Sequence, residues 1–111
     1  MGDLLRLEVE LGRPVPNEYK VFMQLTDGAL FDSGLMIYSA CEVYERNKTF
    51  SFFEYLPDYL SIGDDSGGQS IIIPYEGLGV YLVGHGFLDK SNFEVLGGTL
   101  EEWINNGCFM S

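Results

Sequence analysis

The stretch Ile62-Gly63-Asp64-Asp65-Ser66-Gly67-Gly68-Gln69 most limits what this chain can fold into. Leu60 and Ile62 approach it in period-2 alternation, and the β-branched run Ser70-Ile71-Ile72-Ile73 leaves it. Between them, glycine admits positive φ and aspartate can hydrogen-bond its own backbone. The pattern predicts two antiparallel strands joined by a polar hairpin. A calcium loop would need alternating oxygen ligands closed by a distal Glu, but Asp64 and Asp65 are adjacent and no such Glu follows. A phosphate loop would need Gly-Lys-Ser/Thr, which is absent. The turn is expected to be structural.

Upstream, Leu4, Leu7 and Leu11 recur at helical spacing before Gly12. Arg13-Pro14-Val15-Pro16 forces an extended connection, because a proline disfavours helical backbone in the residue before it. Pro16 then suits the first position of a second helix, with Glu18 in its first turn and Tyr19, Phe22 and Met23 on one face before Asp27-Gly28. Leu35–Tyr38 reads as a strand. Ser39 and Glu42 have capping-box spacing ahead of a helix through Val43, Tyr44 and about Asn47. The aromatic run Phe50–Leu56 lacks periodicity and is left as a strand or a packed loop.

Downstream, Pro74 should end the pairing or sit on a sheet edge. Gly79–Val83 is the next strand, Gly84-His85-Gly86 ends it, and Phe93–Leu96 is a short strand or turn. Thr99 and Glu102 form a second capping box, ahead of a helix with Leu100, Trp103 and Ile104 on one face; Asn105-Asn106-Gly107 terminates it. The expected architecture is α+β, a single domain over residues 1–111 with a central, mainly antiparallel β-sheet and helices packed on it.

Charge narrows function. Seventeen acids against six bases give −11, which argues against nucleic acid or an anionic membrane as partner. Residues 1–48 carry eight acids and five bases, net −3, whereas residues 49–111 carry nine acids and only Lys90, net −8. No Lys or Arg lies between Thr49 and Asp89. Such a surface can serve solubility, or it can attract and orient a basic partner. No apolar run approaches the roughly 20 residues of a membrane span. The N-terminus lacks the pattern of a signal peptide, and Arg6 stands where a myristoylation motif has Ser or Thr. A cytoplasmic protein is expected, with Cys41 and Cys108 as thiols rather than a bridge.

Catalytic constellations are missing from the pattern. His85, the only histidine, has no local nucleophile or orienting group and reads as a turn residue between glycines. Asp64 and Asp65, adjacent on a glycine loop, are poor acid–base partners. Gly77-Leu78-Gly79 precedes a strand, whereas a dinucleotide loop follows one. Neither cysteine has zinc spacing. No enzyme activity, metal or cofactor is expected.

In order, these segments resemble the SUKH superfamily, the Smi/Knr group. Leu11-Gly12 followed by Val15-Pro16-Asn17-Glu18-Tyr19-Lys20-Val21-Phe22-Met23 is similar to the family's opening, and Thr26-Asp27-Gly28 falls where it often has Asn-Gly. Leu35–Tyr38 matches its next strand. Tyr59–Gly68 resembles its Ile-Gly-Asp-x-x-Gly-Gly centre, Gly79–Gly86 its Gly-x-Val-Tyr-x-x-Asp-His-Gly strand and turn, and Leu100–Ile104 its Phe-x-Glu-Phe-Leu. The pattern departs at Gly84, where the family often has Asp, and in a short first helix. The resemblance implies helices packed on a central antiparallel sheet. For bacterial members it implies an immunity protein of a polymorphic toxin system, which binds a cognate toxin, often a nuclease whose basic cleft would suit an acidic inhibitor. The alternative is a regulatory scaffold like the eukaryotic relatives linked to cell-wall synthesis. On the immunity reading, partner contacts are expected from Asp58, Asp64, Asp65 and Glu76, with Tyr59 or Tyr75 as aromatic anchors, because tyrosine buries a large rigid surface while keeping a polar tip.

Overall fold

The computed structural model describes residues 2–25, 28–30, 34–84 and 88–105. The expectations for Asp27, His85, Gly86, Asn106, Gly107 and Cys108 lie outside these residues.

The architecture is α+β. Six strands, each antiparallel to the next, follow one another across a single sheet in chain order. They are β1 (Ala29–Leu30), β2 (Met36–Ile37), β3 (Tyr59–Asp64), β4 (Gln69–Pro74), β5 (Val80–Gly84) and β6 (Glu94–Gly97). Helices α1 (Gly2–Leu11) and α2 (Asn17–Leu25) precede them, α3 (Ala40–Thr49) and α4 (Phe52–Tyr55) lie between β2 and β3, and α5 (Leu100–Asn105) follows β6.

The leucine stripe of α1 buries Leu4 and Leu7, and the helix ends where Gly12, at φ 74°, donates its N–H to the Glu8 carbonyl at 3.0 Å. The Glu8 carboxylate then fixes the proline-rich connection: it accepts the Val15 N–H at 2.8 Å and pairs with the Lys20 ammonium at 3.1 Å. Tyr19, Phe22 and Met23 of α2 are buried, as their spacing predicts. The central hairpin is present, with Leu60 opposite Ile73 and Asp64 opposite Ser70.

The hairpin strands are buried on both faces, and this replaces simple apolar–polar alternation. Leu60, Ile62, Ile71, Ile73, Val80 and Leu82 join α1, α2, α3 and α5 in the larger core. Ile72 and Val83 face the other way, onto Phe52 and Leu56. A bulge between Ser61 and Gly63 re-aims β3 where β2 turns away into α3. Gly63 has a packing reason to be glycine, because a Cβ there would overlap the Met36 carbonyl oxygen.

Two local expectations are corrected and a third is extended. Phe50–Leu56 is neither strand nor loop: Ser51 takes left-handed backbone (φ 64°), breaks α3, and starts the one-turn α4 by accepting the Glu54 and Tyr55 N–H groups. The run looked aperiodic because its rings serve different neighbours. Phe52 and Leu56 fill the second core, while Phe53 packs on Tyr44 with ring centres 5.3 Å apart. The Ser39 hydroxyl donates to the Glu42 carboxylate at 2.7 Å, so this pair meets side chain to side chain with no side-chain cap on the backbone. At α5, Thr99 Oγ1 does accept the Glu102 N–H at 3.0 Å, but the Leu100 N–H goes to Glu18, whose carboxylate reaches from α2 at 2.8 Å.

Candidate functional site

The two aspartates of the hairpin turn are occupied in building it. Asp64 accepts the Tyr38 hydroxyl at 2.7 Å on one carboxylate oxygen and the Ser66 N–H at 2.9 Å on the other. Burial, reinforced by that bond to Asp64, pushes the Tyr38 hydroxyl well above the ordinary tyrosine range. One Asp65 oxygen accepts the N–H groups of Gly67 at 2.7 Å and Gln69 at 3.1 Å. The Ser66 hydroxyl donates to the Gly34 carbonyl at 2.6 Å, tying the turn to the β1–β2 connection.

Asp58, Tyr59, Tyr75 and Glu76 gather at the opposite end of the hairpin, around a recess of about 240 Å³ that Arg13 and Pro74 also line. The length of β3 separates them from Asp64 by roughly 17 Å, at the usual rise of ~3.3 Å per strand residue. The six sequence-selected residues therefore form two groups. Sequence position also hid a base in the second group: the Arg13 guanidinium lies 3.9 Å from the centre of the Tyr75 ring. Burial raises the Tyr75 hydroxyl to about 12 against the opposing pull of Arg13.

Tyr59 belongs to a further surface that sequence reasoning did not assemble. On the second face of the sheet its ring meets Phe93 at 5.1 Å and Tyr81 at 6.3 Å, both edge-on, and Tyr81 lies 5.5 Å from Phe93. Val95, directly across from Tyr81 on β6, is 67% exposed beside this trio. The signal was available: Tyr81 and Val83 alternate with Val80 and Leu82, and Phe93 and Val95 repeat at period 2.

A shallow groove of about 380 Å³ also runs between α2 and α5, lined by Asn17, Glu18, Val21, Phe22, Glu101, Ile104 and Asn105. Among the described residues, no group of three or more His, Cys, Asp or Glu side chains could hold a metal ion. Among them, too, no helix is long and apolar enough to cross a membrane. Cys41 is an exposed free thiol, its sulfur 3.3 Å from Ser39 Oγ.

The fold carries the residues that suggested kinship. Residues 2–106 match the family model described as the SMI1 / KNR4 family (SUKH-1). The chain belongs to the SMI1/KNR4 family. A comparison with curated proteins found no match. In this SUKH-1 chain the central motif is an architectural one. Gly63 permits the close approach of β2, Asp64 joins the turn to Tyr38, and Ser66 joins it to Gly34.

Proposed function

We propose that this SUKH-1 protein is an immunity protein: it binds a cognate toxin domain in the cytoplasm and neutralises it by occupying its surface, without catalysis of its own. Family membership makes that class of function available. The observation that carries the reading is where the bases fall in the fold. The strands and short helix that build the sheet's second face come from residues 50–97, which hold seven acids and a single base, Lys90. The other five bases, Arg6, Arg13, Lys20, Arg46 and Lys48, all lie on or between α1, α2 and α3. A surface of one sign steers a partner of the opposite sign and accelerates encounter.

The test is co-expression with the toxin encoded beside the gene, coupled to pull-down. Rescue from killing together with a stable complex is the expected result. The association rate should fall steeply with added salt; a flat response would remove the electrostatic part of the reading. A regulatory scaffold of the Smi/Knr type is the second reading. Leu5 and Val9, 62% and 81% exposed one turn apart on α1, give it a separate apolar surface. Folded protein that neither rescues nor binds the toxin would favour that alternative.

A further inference from the structure

We propose that the partner docks on the second face of the sheet, over Tyr59, Tyr81, Phe93 and Val95, and that this face receives a basic protein segment presenting arginine. The identity of the partner as a toxin rests on the immunity reading; the location and chemistry of the docking face rest on the following observations.

The first is coverage. On the first face, α1, α2, α3 and α5 pack over the sheet. Among the described residues, the second face carries only α4, whose four residues extend about 6 Å at the usual helical rise, and a single 3-10 turn at Lys90–Asn92 just before Phe93. With its side chains a helix is about 10 Å wide and neighbouring strands lie about 4.8 Å apart, so α4 can shield about two of them. It packs against β3 and buries Phe52, Leu56, Ile72 and Val83. Beyond α4 the surface is formed by the half-buried rings of Tyr59 at the start of β3, Tyr81 on β5 and Phe93 just before β6, with Val95 of β6 exposed next to them.

The second observation is what borders the rings. Asp58 immediately precedes Tyr59 and is exposed. Glu54 is exposed on α4. Asp89 is exposed in the turn that leads to Phe93, and its carboxyl is held below the usual range by hydrogen bonds from Ser91, so it stays charged into mildly acid solution. An aromatic surface with a carboxylate border suits a guanidinium, which stacks flat on a ring while its N–H groups reach carboxylate oxygens. A lysine ammonium lacks that planar fork. The chain itself uses this pairing on its other layer, with Arg13 over Tyr75 at 3.9 Å and Arg46 over Tyr38 at 5.1 Å.

The test compares matched substitutions in the full chain. Val95→Arg puts a cation on the proposed face, and Val9→Arg makes the same change at an exposed valine on α1. Glu54→Lys reverses one border charge, and thermal unfolding checks that all three variants fold. Against the adjacent toxin, Val95→Arg and Glu54→Lys should each raise Kd about tenfold or more, the scale of a central interface contact, while Val9→Arg leaves it unchanged. Separately, a short arginine-rich peptide and its citrulline counterpart are titrated into the unmodified protein by NMR. The arginine peptide should shift the amides of Tyr59, Tyr81, Phe93 and Val95, and the neutral peptide should not.

Toxin binding that survives Val95→Arg and Glu54→Lys would overturn the docking face while leaving the immunity reading intact. Peptide shifts centred on the Arg13–Tyr75 recess, spread evenly, or absent would overturn the arginine assignment. If the toxin does not bind the unmodified protein, the immunity reading falls, and the peptide map alone decides the docking face.

Discussion

Asn47 is the side chain whose replacement most directly tests how this sheet is held. β2 pairs with β3 only as far as Gly63, after which the Tyr38 N–H reaches the Ile62 carbonyl at 2.9 Å and the chain turns into α3. Beyond that point Ser61 has no strand beside it on the β2 side. The buried amide of Asn47, on α3, takes the place of a strand. Its Oδ1 accepts the Ser61 N–H at 2.8 Å, and its Nδ2 donates to the Ser61 carbonyl at 2.9 Å and to the Val43 carbonyl at 2.8 Å. Asn47→Ala would leave the Ser61 N–H and carbonyl buried without this partner. Each orphaned group costs about 1–3 kcal/mol, so a loss near ~4 kcal/mol is expected. That is a large fraction of the ~5–15 kcal/mol that holds a small domain together. Urea unfolding should show a lower midpoint at an unchanged slope. Asn47→Leu separates two causes: it restores volume but no hydrogen bond, so it should be no more stable than Asn47→Ala. A loss below about 1 kcal/mol in the alanine variant, or recovery in the leucine variant, would refute the hydrogen-bond argument.

Other substitutions test the remaining joints. Gly63→Ala should destabilise by about 1–3 kcal/mol through overlap with the Met36 carbonyl, read as a fall in the same urea midpoint. Glu18→Ala should cost about 1 kcal/mol by uncapping Leu100, whereas an exposed change on α2 such as Val21→Ala should be nearly silent in thermal unfolding. Asp65→Ala, which removes the acceptor for Gly67 and Gln69, should lower stability by about 1 kcal/mol and leave toxin affinity unchanged if this carboxylate only builds the turn; weaker binding by calorimetry would return it to the interface. Stability should also fall at alkaline pH. An unperturbed tyrosine titrates near 10.0, and burial raises Tyr75 to about 12 and Tyr38 further, so the folded state retains protons that the unfolded state has lost. Their contribution is complete below pH 10 and declines as pH rises through the folded values. Tyr75→Phe should flatten the decline between pH 10 and 12, measured by unfolding across that range.

Local chemistry was legible wherever near neighbours decide it. Leu4 and Leu7 mark the buried side of α1, and the glycine-aspartate stretch turns the central hairpin. Thr99 caps α5 from within its own turn. The one-turn α4 was not legible, because its reason is a left-handed Ser51 and a hydrophobic site waiting on the far side of the sheet. Nor was the division of the six site residues, since a hairpin places its turn and its open end at opposite extremes. Asp64 and Asp65 looked available in sequence, but the turn engages both oxygens of Asp64 and one of Asp65.

Residue order by itself determined the antiparallel α+β class, the family pattern and the uneven distribution of charge along the chain. Each follows from short-range periodicity, from turn residues or from counting, which need no three-dimensional information. Only the tertiary structure decided which side of the sheet each carboxylate and ring would occupy. A strand sends successive side chains to opposite faces, and a single bulge or a one-turn helix redirects everything after it. Folding thereby gathered five of the six bases on and between α1, α2 and α3. It also drew Tyr59, Tyr81 and Phe93, from three separate segments, into one contiguous surface.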